Sequence, residues 1–325
     1  MEDNMNNLED KKKRVSGIDV SKLELVVRCS WDAILRRYPN TASGIRKLLR
    51  VLKQGGVELV VCEHTGKYES MLVAALHSEK LLVHCAHSKA THHFAKARKI
   101  SGKSDPIDAE TILQYGLCME LKPDEPPRPE LLALKELAAR RNDLNEMLVM
   151  EKNRLQAPGI SPSMKREIKS FIRGLEAHIA RNEKAMAKLI KETESLQKPI
   201  KILTKEYGVG LISAAMIYAA MPELGTLTRQ TAGSLAGLAP IIRESGKYQG
   251  QRRIGGGRAM ARNALYMVAM TAIRKRGSIL QSFYATLKKT GKCRMVALTA
   301  VMRKLIVRFN TLLKELYREP QVQLA

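Results

Sequence analysis

Acidic side chains are scarce in this chain. Its 325 residues carry 32 Asp and Glu against 56 Lys and Arg, a formal net charge of +24. The shortage is steepest near the C-terminus, where Ile241 to Ala325 hold 18 Lys or Arg against three acids, Glu244, Glu315 and Glu319. So one-sided a region excludes a polycationic partner and points to a polyanion, with the salt-sensitive binding of a phosphate-backbone footprint. Aromatic residues make up only 4% of the chain, which leaves few platforms for base stacking and directs recognition toward the backbone. Long apolar runs are missing too: none approaches the roughly 18 residues that span a bilayer. The polar start "MEDNMNNLEDKKKR" has no apolar core of a signal peptide, so a cytoplasmic protein with no membrane partner is expected. Cysteines 29, 62, 85, 118 and 293 are odd in number and form no C-x-x-C pair, which suits reduced thiols.

Two further absences narrow the chemistry. "ISGKS", residues 100–104, ends like a nucleotide-binding loop, but position 97, where the motif needs its first glycine, is Ala, and no strand feeds the loop. An ATPase is therefore excluded. His84, His87, His92 and His93 cluster near Cys85 without spacing that converges on one point, so packing or surface roles are expected rather than zinc.

What is present reads as three segments. "RVSGIDVSK", "LELVVRCS" and "AILRRYPN" are β-rich and open a meander. Helix "ASGIRKLLRVLKQ", strand "VELVVCEHTG", helix "YESMLVAALHSEK", strand "LLVHCAH" and helical "KATHHFAKARK" follow. Three strands followed by alternating helix and strand is the order of an RNase H-like α/β domain, placed at residues 1–121. The proline-rich "KPDEPPRPE" marks a linker. Beyond it Leu134, Leu137, Arg141, Leu144, Leu148, Glu151 and Leu155 step by threes and fours, as do Ile168, Ile172, Leu175, Ile179, Asn182, Met186 and Leu189. Residues 122–198 are thus expected to be a linker and an antiparallel coiled-coil hairpin, serving as spacer and dimer seam. A mainly α-helical C-terminal domain, residues 199–325, should hold a Gly-rich polar segment followed by two basic amphipathic helices.

In that last domain "YGVGLISAA" has the pattern of a helix-hairpin-helix turn, whose backbone N–H groups can meet a phosphate; a plain tight turn between helices fits the same residues. "RESGKYQGQRRIGGGRAMAR" joins an isolated serine, Ser245, to flexible glycines and to Arg243, Lys247, Arg252, Arg253, Arg258 and Arg262. Glycines let backbone approach a phosphate and arginines neutralise it. Composition alone does not make Ser245 a nucleophile. Lys99 and Lys103 flank the acids of the first domain in the same way, as a wall for phosphate.

Four acids stand out against the basic background. Asp19 sits between Ile18 and Val20 in the first strand, Glu63 follows "LVVC", and Asp105 and Asp108 bracket Pro106 at a helix start. Asp105 reads as a helix N-cap, Pro106 as the first helical residue and Asp108 as a first-turn acid. Capping does not explain Asp19 or Glu63, because buried carboxylates need partners. In an RNase H-like sheet the first and fourth strands are neighbours. Four carboxylates together repel by several kcal/mol unless a cation lies between them, and oxygen-only ligands suit Mg²⁺ or Mn²⁺.

With "GIDVSK", "CEHTGKYE", "KSDPIDAETI" and "LAGLAPIIRESGKYQGQRRIGGGRAMARNALYM" in this order, nearly the whole chain resembles the DEDD transposases of the insertion-sequence family one hundred and ten, Piv-type DNA invertases included. The resemblance implies a RuvC-like catalytic domain in which Asp19, Glu63, Asp105 and Asp108 hold divalent metal. It also implies that Ser245 attacks a DNA phosphate to form a covalent phosphoserine, with Ser234 of "GSLAG" as the fallback. The implied partners are donor and target DNA, a guide noncoding RNA from the element, and further copies in a homodimer or homotetramer, near the nucleoid of a prokaryote. Two other readings stand beside it: a RuvC-like junction nuclease that hydrolyses with water and forms no adduct, and a non-catalytic nucleic-acid scaffold.

Overall fold

The computed structural model describes residues 13–318 except 101, 103, 127, 242–243, 246–247 and 251–252, and only the backbone of 244–245 and 248–249. The chain divides into two compact units, split between residues 127 and 128.

The first unit is a mixed sheet with helices on both faces. β1 (Val15–Val20), β2 (Glu24–Cys29) and β3 (Arg36–Pro39) form the expected meander, and α1 (Ala42–Gln54) follows, with the Thr41 side chain capping the Gly44 N–H. Then come β4 (Leu59–Glu63), α2 (Ser70–Ser78), β5 (Val83–Ala86), α3 (Ser88–Ala97) and α4 (Asp105–Cys118). The sheet order is β3-β2-β1-β4-β5, with β1 parallel to β4 and β4 parallel to β5, while β2 and β3 run antiparallel.

Strand residues alternate between faces, and the two cores sort accordingly. Ile18, Val20, Val60 and Cys62 pack on Leu48, Leu52, Leu72 and Leu76 of α1 and α2. Val15, Leu59 and Val61 pack instead on Ile112, Leu113 and Tyr115 of α4. By the same alternation Asp19 and Glu63 belong to the α4 face. Two glycines allow α4 to lie directly on that face. A Cβ at Gly17 would stand 2.3 Å from the Leu113 amide nitrogen and 2.6 Å from the Ala109 carbonyl, and one at Gly116 would stand 2.8 Å from both Val15 and Val61. The thiols of Cys62 and Cys85, opposite each other on β4 and β5, lie 3.7 Å apart in hydrogen-bond contact and form no disulfide.

The second unit is mostly helical. α5 (Pro129–Leu155) and α6 (Pro162–Glu192) form a hairpin whose antiparallel sense follows from two ion pairs, Arg141 with Glu183 at 2.7 Å and Lys152 with Glu176 at 3.0 Å. Leu134, Leu144, Ile168, Ile172, Leu175 and Met186 are buried along the seam. α7 (Glu194–Leu203), α8 (Leu211–Ala220) and α9 (Arg229–Leu235) follow. The base of the hairpin shares one core with the rest of the unit: Leu134, Ala138, Met186 and Ile190 lie with Ile200 of α7 and Tyr218 of α8, and with Leu265 and Phe309 further along the chain.

The Gly-rich segment after α9 carries two short antiparallel pairs, β6 (Pro240–Ile241) with β9 (Arg253–Ile254) and β7 (Glu244–Ser245) with β8 (Tyr248–Gln249), together a β-arm. One expectation needs correction here. After the arm come three helices rather than two, α10 (Ala259–Ala272), α11 (Ile279–Lys289) and α12 (Arg294–Arg318). Gly277 at φ +72° and Gly291 at φ +80° make the breaks, a backbone state that side chains disfavour. Among the described residues, no helix is long and apolar enough to cross a membrane.

Candidate active site

Two strand ends and one helix start build the site. Asp19 is the penultimate residue of β1 and Glu63 the last of β4; because Ile18 pairs with Cys62, the two acids follow adjacent register positions on the same edge. The crossing of α4 over Gly17 brings in its first turn, with Asp108. Asp19, Glu63 and Asp108 line one cavity of about 440 Å³, together with Thr91, His92 and Lys96 of α3.

The electrostatics of Asp19 record this gathering. Burial, followed by the charges of Asp108, Asp105 and Glu63, pushes its carboxyl up from 3.8 to about 6. The oxygen-only donor set suits a hard divalent cation. Among the described residues, no group of three carboxylate, imidazole or thiol side chains is arranged as a ready-made metal cage. What the first unit presents is therefore an acidic cluster under mutual repulsion.

Asp105 differs from the other three acids. It is exposed, outside the lining of the cavity, and 3.8 Å from the Arg37 guanidinium. Its expected cap role also shifts by one residue: Ser104 is the N-cap, without a side-chain bond, and Asp105 is the first helical residue, ahead of Pro106. Extended backbone at Ser104, φ −157° and ψ 150°, marks it as the residue outside the helix.

Helix α3 contributes what the sequence reading passed over. The Thr91 hydroxyl, buried, bonds Glu63 Oε1 and also lies 3.0 Å from the Ser88 carbonyl. Ser88 Oγ donates to the His64 carbonyl at 3.2 Å, so the start of α3 is stitched to the end of β4. His87 caps α3 through Nδ1, which accepts from the Lys89 N–H at 3.1 Å, and His84 Nδ1 lies 2.8 Å from the Lys122 carbonyl. Just past Glu63 the loop is tied by Glu69, whose carboxylate accepts from the N–H groups of Thr65 and Lys67, each at 3.1 Å. A threonine three positions after the serine that opens α3 was the available signal for Thr91, but only the fold puts it on Glu63.

In the second unit Ser245 stands on β7, its backbone paired with Tyr248. The base of that arm is a glycine contact: a Cβ at Gly257, where φ is +61°, would stand 2.3 Å from the Gly237 nitrogen. The basic residues divide by role. Arg258 turns its guanidinium to Glu223 at 2.7 Å and to the Ala220 carbonyl at 2.8 Å. Burial acts to raise the Glu223 carboxyl, but the Arg258 guanidinium, a backbone hydrogen bond and the charge of Lys135 together hold the group below its usual range. Arg262 Nη1 donates to the Gly256 carbonyl at 2.8 Å, beneath the arm. Arg253 is exposed on β9, and Lys99 is exposed in the loop after α3 with φ +56°. Ser234 is exposed on α9. Lys103, Arg243, Lys247 and Arg252 lie outside the described residues.

Comparison with known proteins finds two family matches. Residues 16–158 match the DEDD family of IS110, described as "Transposase", and residues 200–285 match the "Transposase IS116/IS110/IS902 family". The chain belongs to the IS110 family of transposases. The first match carries Asp19, Glu63, Asp105 and Asp108 in this transposase, and the second carries the β-arm with Ser245. The transposase is also similar to the pilin gene-inverting proteins of Moraxella bovis and Moraxella lacunata. Each is 26% identical over 250 residues, which are 76% of this chain and 77% of the relative.

Proposed function

We propose that this transposase cuts and rejoins DNA through a covalent serine intermediate. In this reading Asp19, Glu63 and Asp108, with Asp105 at the rim, hold Mg²⁺ or Mn²⁺, and Ser245 is the nucleophile. The observation that carries it is the convergence of Asp19, Glu63 and Asp108 on one cavity, with the Asp19 carboxyl raised to about 6. Like charges gathered at some electrostatic cost make chemical sense where a cation neutralises them. The sheet order β3-β2-β1-β4-β5, with acids at the ends of β1 and β4, supports an RNase H-like assignment of the first unit.

The chemistry follows from the residues. A bound divalent cation would supply charge neutralisation at the phosphate. The Ser245 hydroxyl, a weak nucleophile at its free pKa, gives up its proton to solvent as its oxygen bonds phosphorus, and the departing deoxyribose oxygen takes up a proton to leave as a hydroxyl. Attack by a second strand's hydroxyl reverses these bonds and returns the serine, so each broken phosphodiester is replaced and no nucleotide cofactor is consumed. Arg253, Lys99 and the neighbouring Lys103, Arg243, Lys247 and Arg252 neutralise backbone phosphates. We assign three functional segments, 1–121 with the acids, 122–198 as a coiled-coil seam between copies, and 199–325 with the serine. A noncoding RNA pairing with donor and target DNA fits the small aromatic content, since base pairing then takes over sequence reading. The relatives in Moraxella are named as gene-inverting proteins, and DNA is the substrate class proposed for this chain.

The test is to incubate the transposase with Mg²⁺ and DNA carrying the ends of its element, then seek an SDS-stable protein–DNA adduct. Wild type should form it, and both Ser245→Ala and Asp108→Asn should not. Cutting by wild type without any adduct would replace this reading with the junction nuclease. Binding with neither cutting nor adduct would leave a scaffold.

A further inference from the structure

We propose that Thr91 is the positioning residue of Glu63, and that helix α3 is thereby part of the metal-holding apparatus. This inference rests on the proposed reading of the acids as cation ligands and deepens it.

Thr91 is 2% exposed and sits one turn into α3, where its hydroxyl bonds Glu63 Oε1. A hydroxyl has one proton, and a helical threonine ordinarily spends it on the carbonyl three or four residues back. Here that carbonyl, of Ser88, lies 3.0 Å away, yet the same hydroxyl also reaches the carboxylate. The carboxylate is the stronger acceptor, since bonds to ionised groups are about twice as strong as neutral ones. Engagement of Oε1 restricts rotation of the Glu63 carboxyl and leaves Oε2 for a ligand in the cavity that Thr91 and Glu63 both line. The anchor itself is secured at two further points: Ser88 Oγ donates to the His64 carbonyl, and the His64 N–H donates to the Ala86 carbonyl at 3.1 Å. The residue that follows Glu63 is thus tied both to the start of α3 and to the end of β5. Groups that orient a metal ligand from behind typically change metal affinity 10- to 100-fold when removed.

The experiment is Mg²⁺ and Mn²⁺ binding to the full-length transposase by titration calorimetry, with cation-dependent melting as a second readout, for wild type, Thr91→Val, Thr91→Ser and Glu63→Gln. Valine keeps the shape and removes the hydroxyl; serine keeps the hydroxyl. Thr91→Val should weaken binding by about 10-fold or more, Thr91→Ser should bind within about twofold of wild type, and Thr91→Val should add nothing in a Glu63→Gln background. Thr91→Ala replaces valine if the latter does not fold. If Thr91→Val and Thr91→Ala bind as wild type does while Glu63→Gln loses the cation, the inference is overturned and the metal reading survives. If Glu63→Gln binds as wild type does, the metal reading falls and this inference falls with it.

Discussion

Gly17 on β1 and Leu113 on α4 approach so closely that a Cβ on Gly17 would stand 2.3 Å from the Leu113 amide nitrogen. No side chain rotation relieves such a clash, because both partners are backbone. The contact sets the height of α4 above the sheet, and with it the distance from Asp108 to Asp19. Gly17→Ala should destabilise the first unit by about 1–3 kcal/mol, the usual range for overpacking, and abolish adduct formation by lifting the first turn of α4. Urea melts and the adduct assay measure the two effects. Wild-type stability in this variant would contradict the packing described.

The raised Asp19 carboxyl makes stability depend on pH. Its pKa goes from 3.8 to about 6 in the fold, chiefly through burial, so the folded state binds the extra proton between those values. Below about pH 4 the group is protonated folded or unfolded and costs nothing; as pH rises to 6 the fold progressively loses stability, and above 6 it carries the full penalty. In metal-free buffer Asp19→Asn should therefore raise stability at pH 7 by about 1–3 kcal/mol, the range set by a shift of about two units less screening by solvent. The gain should vanish at pH 3.5. Denaturant midpoints across that range check it.

Two arginines of one basic segment should behave differently. Arg258 is engaged by Glu223 and the Ala220 carbonyl, so Arg258→Ala should cost about 1.5–3 kcal/mol of stability, as for hydrogen bonds to charged groups. Arg253 is exposed on β9, so the effect of Arg253→Ala should be read in DNA binding. Its loss should weaken DNA binding at every sequence and lower the slope of log affinity against log salt by about 1. Thermal melts and filter binding at several salt concentrations separate the pair.

The β-arm stands on the Gly237–Gly257 contact. Gly257→Ala places a Cβ 2.3 Å from the Gly237 nitrogen and asks alanine to adopt φ +61°. It should lower the stability of the second unit by about 1–3 kcal/mol and reduce adduct formation at Ser245. Mg²⁺ binding by the acids of the first unit should not change. Calorimetry and the adduct assay distinguish these outcomes.

Much of the first unit was legible because its strands are β-branched runs between turn residues: "ELVVRC" and "LVVCE" have few other ways to bury themselves. The acids stood out for the same reason, as charges set into apolar runs. Other features were not legible. The β-arm is built from strands of two residues, too short for any alternation to register. The third C-terminal helix was hidden because Gly277 and Gly291 interrupt a continuous basic, amphipathic pattern. Arg258 read as one more phosphate contact, since its partner Glu223 lies 35 positions away.

The order of strands and helices in the first unit, the basic charge, the spacing of apolar residues along the helical hairpin and the identity of the acidic residues were determined by the sequence alone, because each is written in local pattern or composition. Which acids share a cavity, and that Asp105 stands outside it, was decided by tertiary structure. So was the bond of Thr91 to Glu63, across 28 positions of chain. The physical reason is the same in each case: a glycine that admits a helix backbone, or a buried hydroxyl that needs an acceptor, acts on whatever the fold brings to it, and nothing in its neighbours along the chain names that partner.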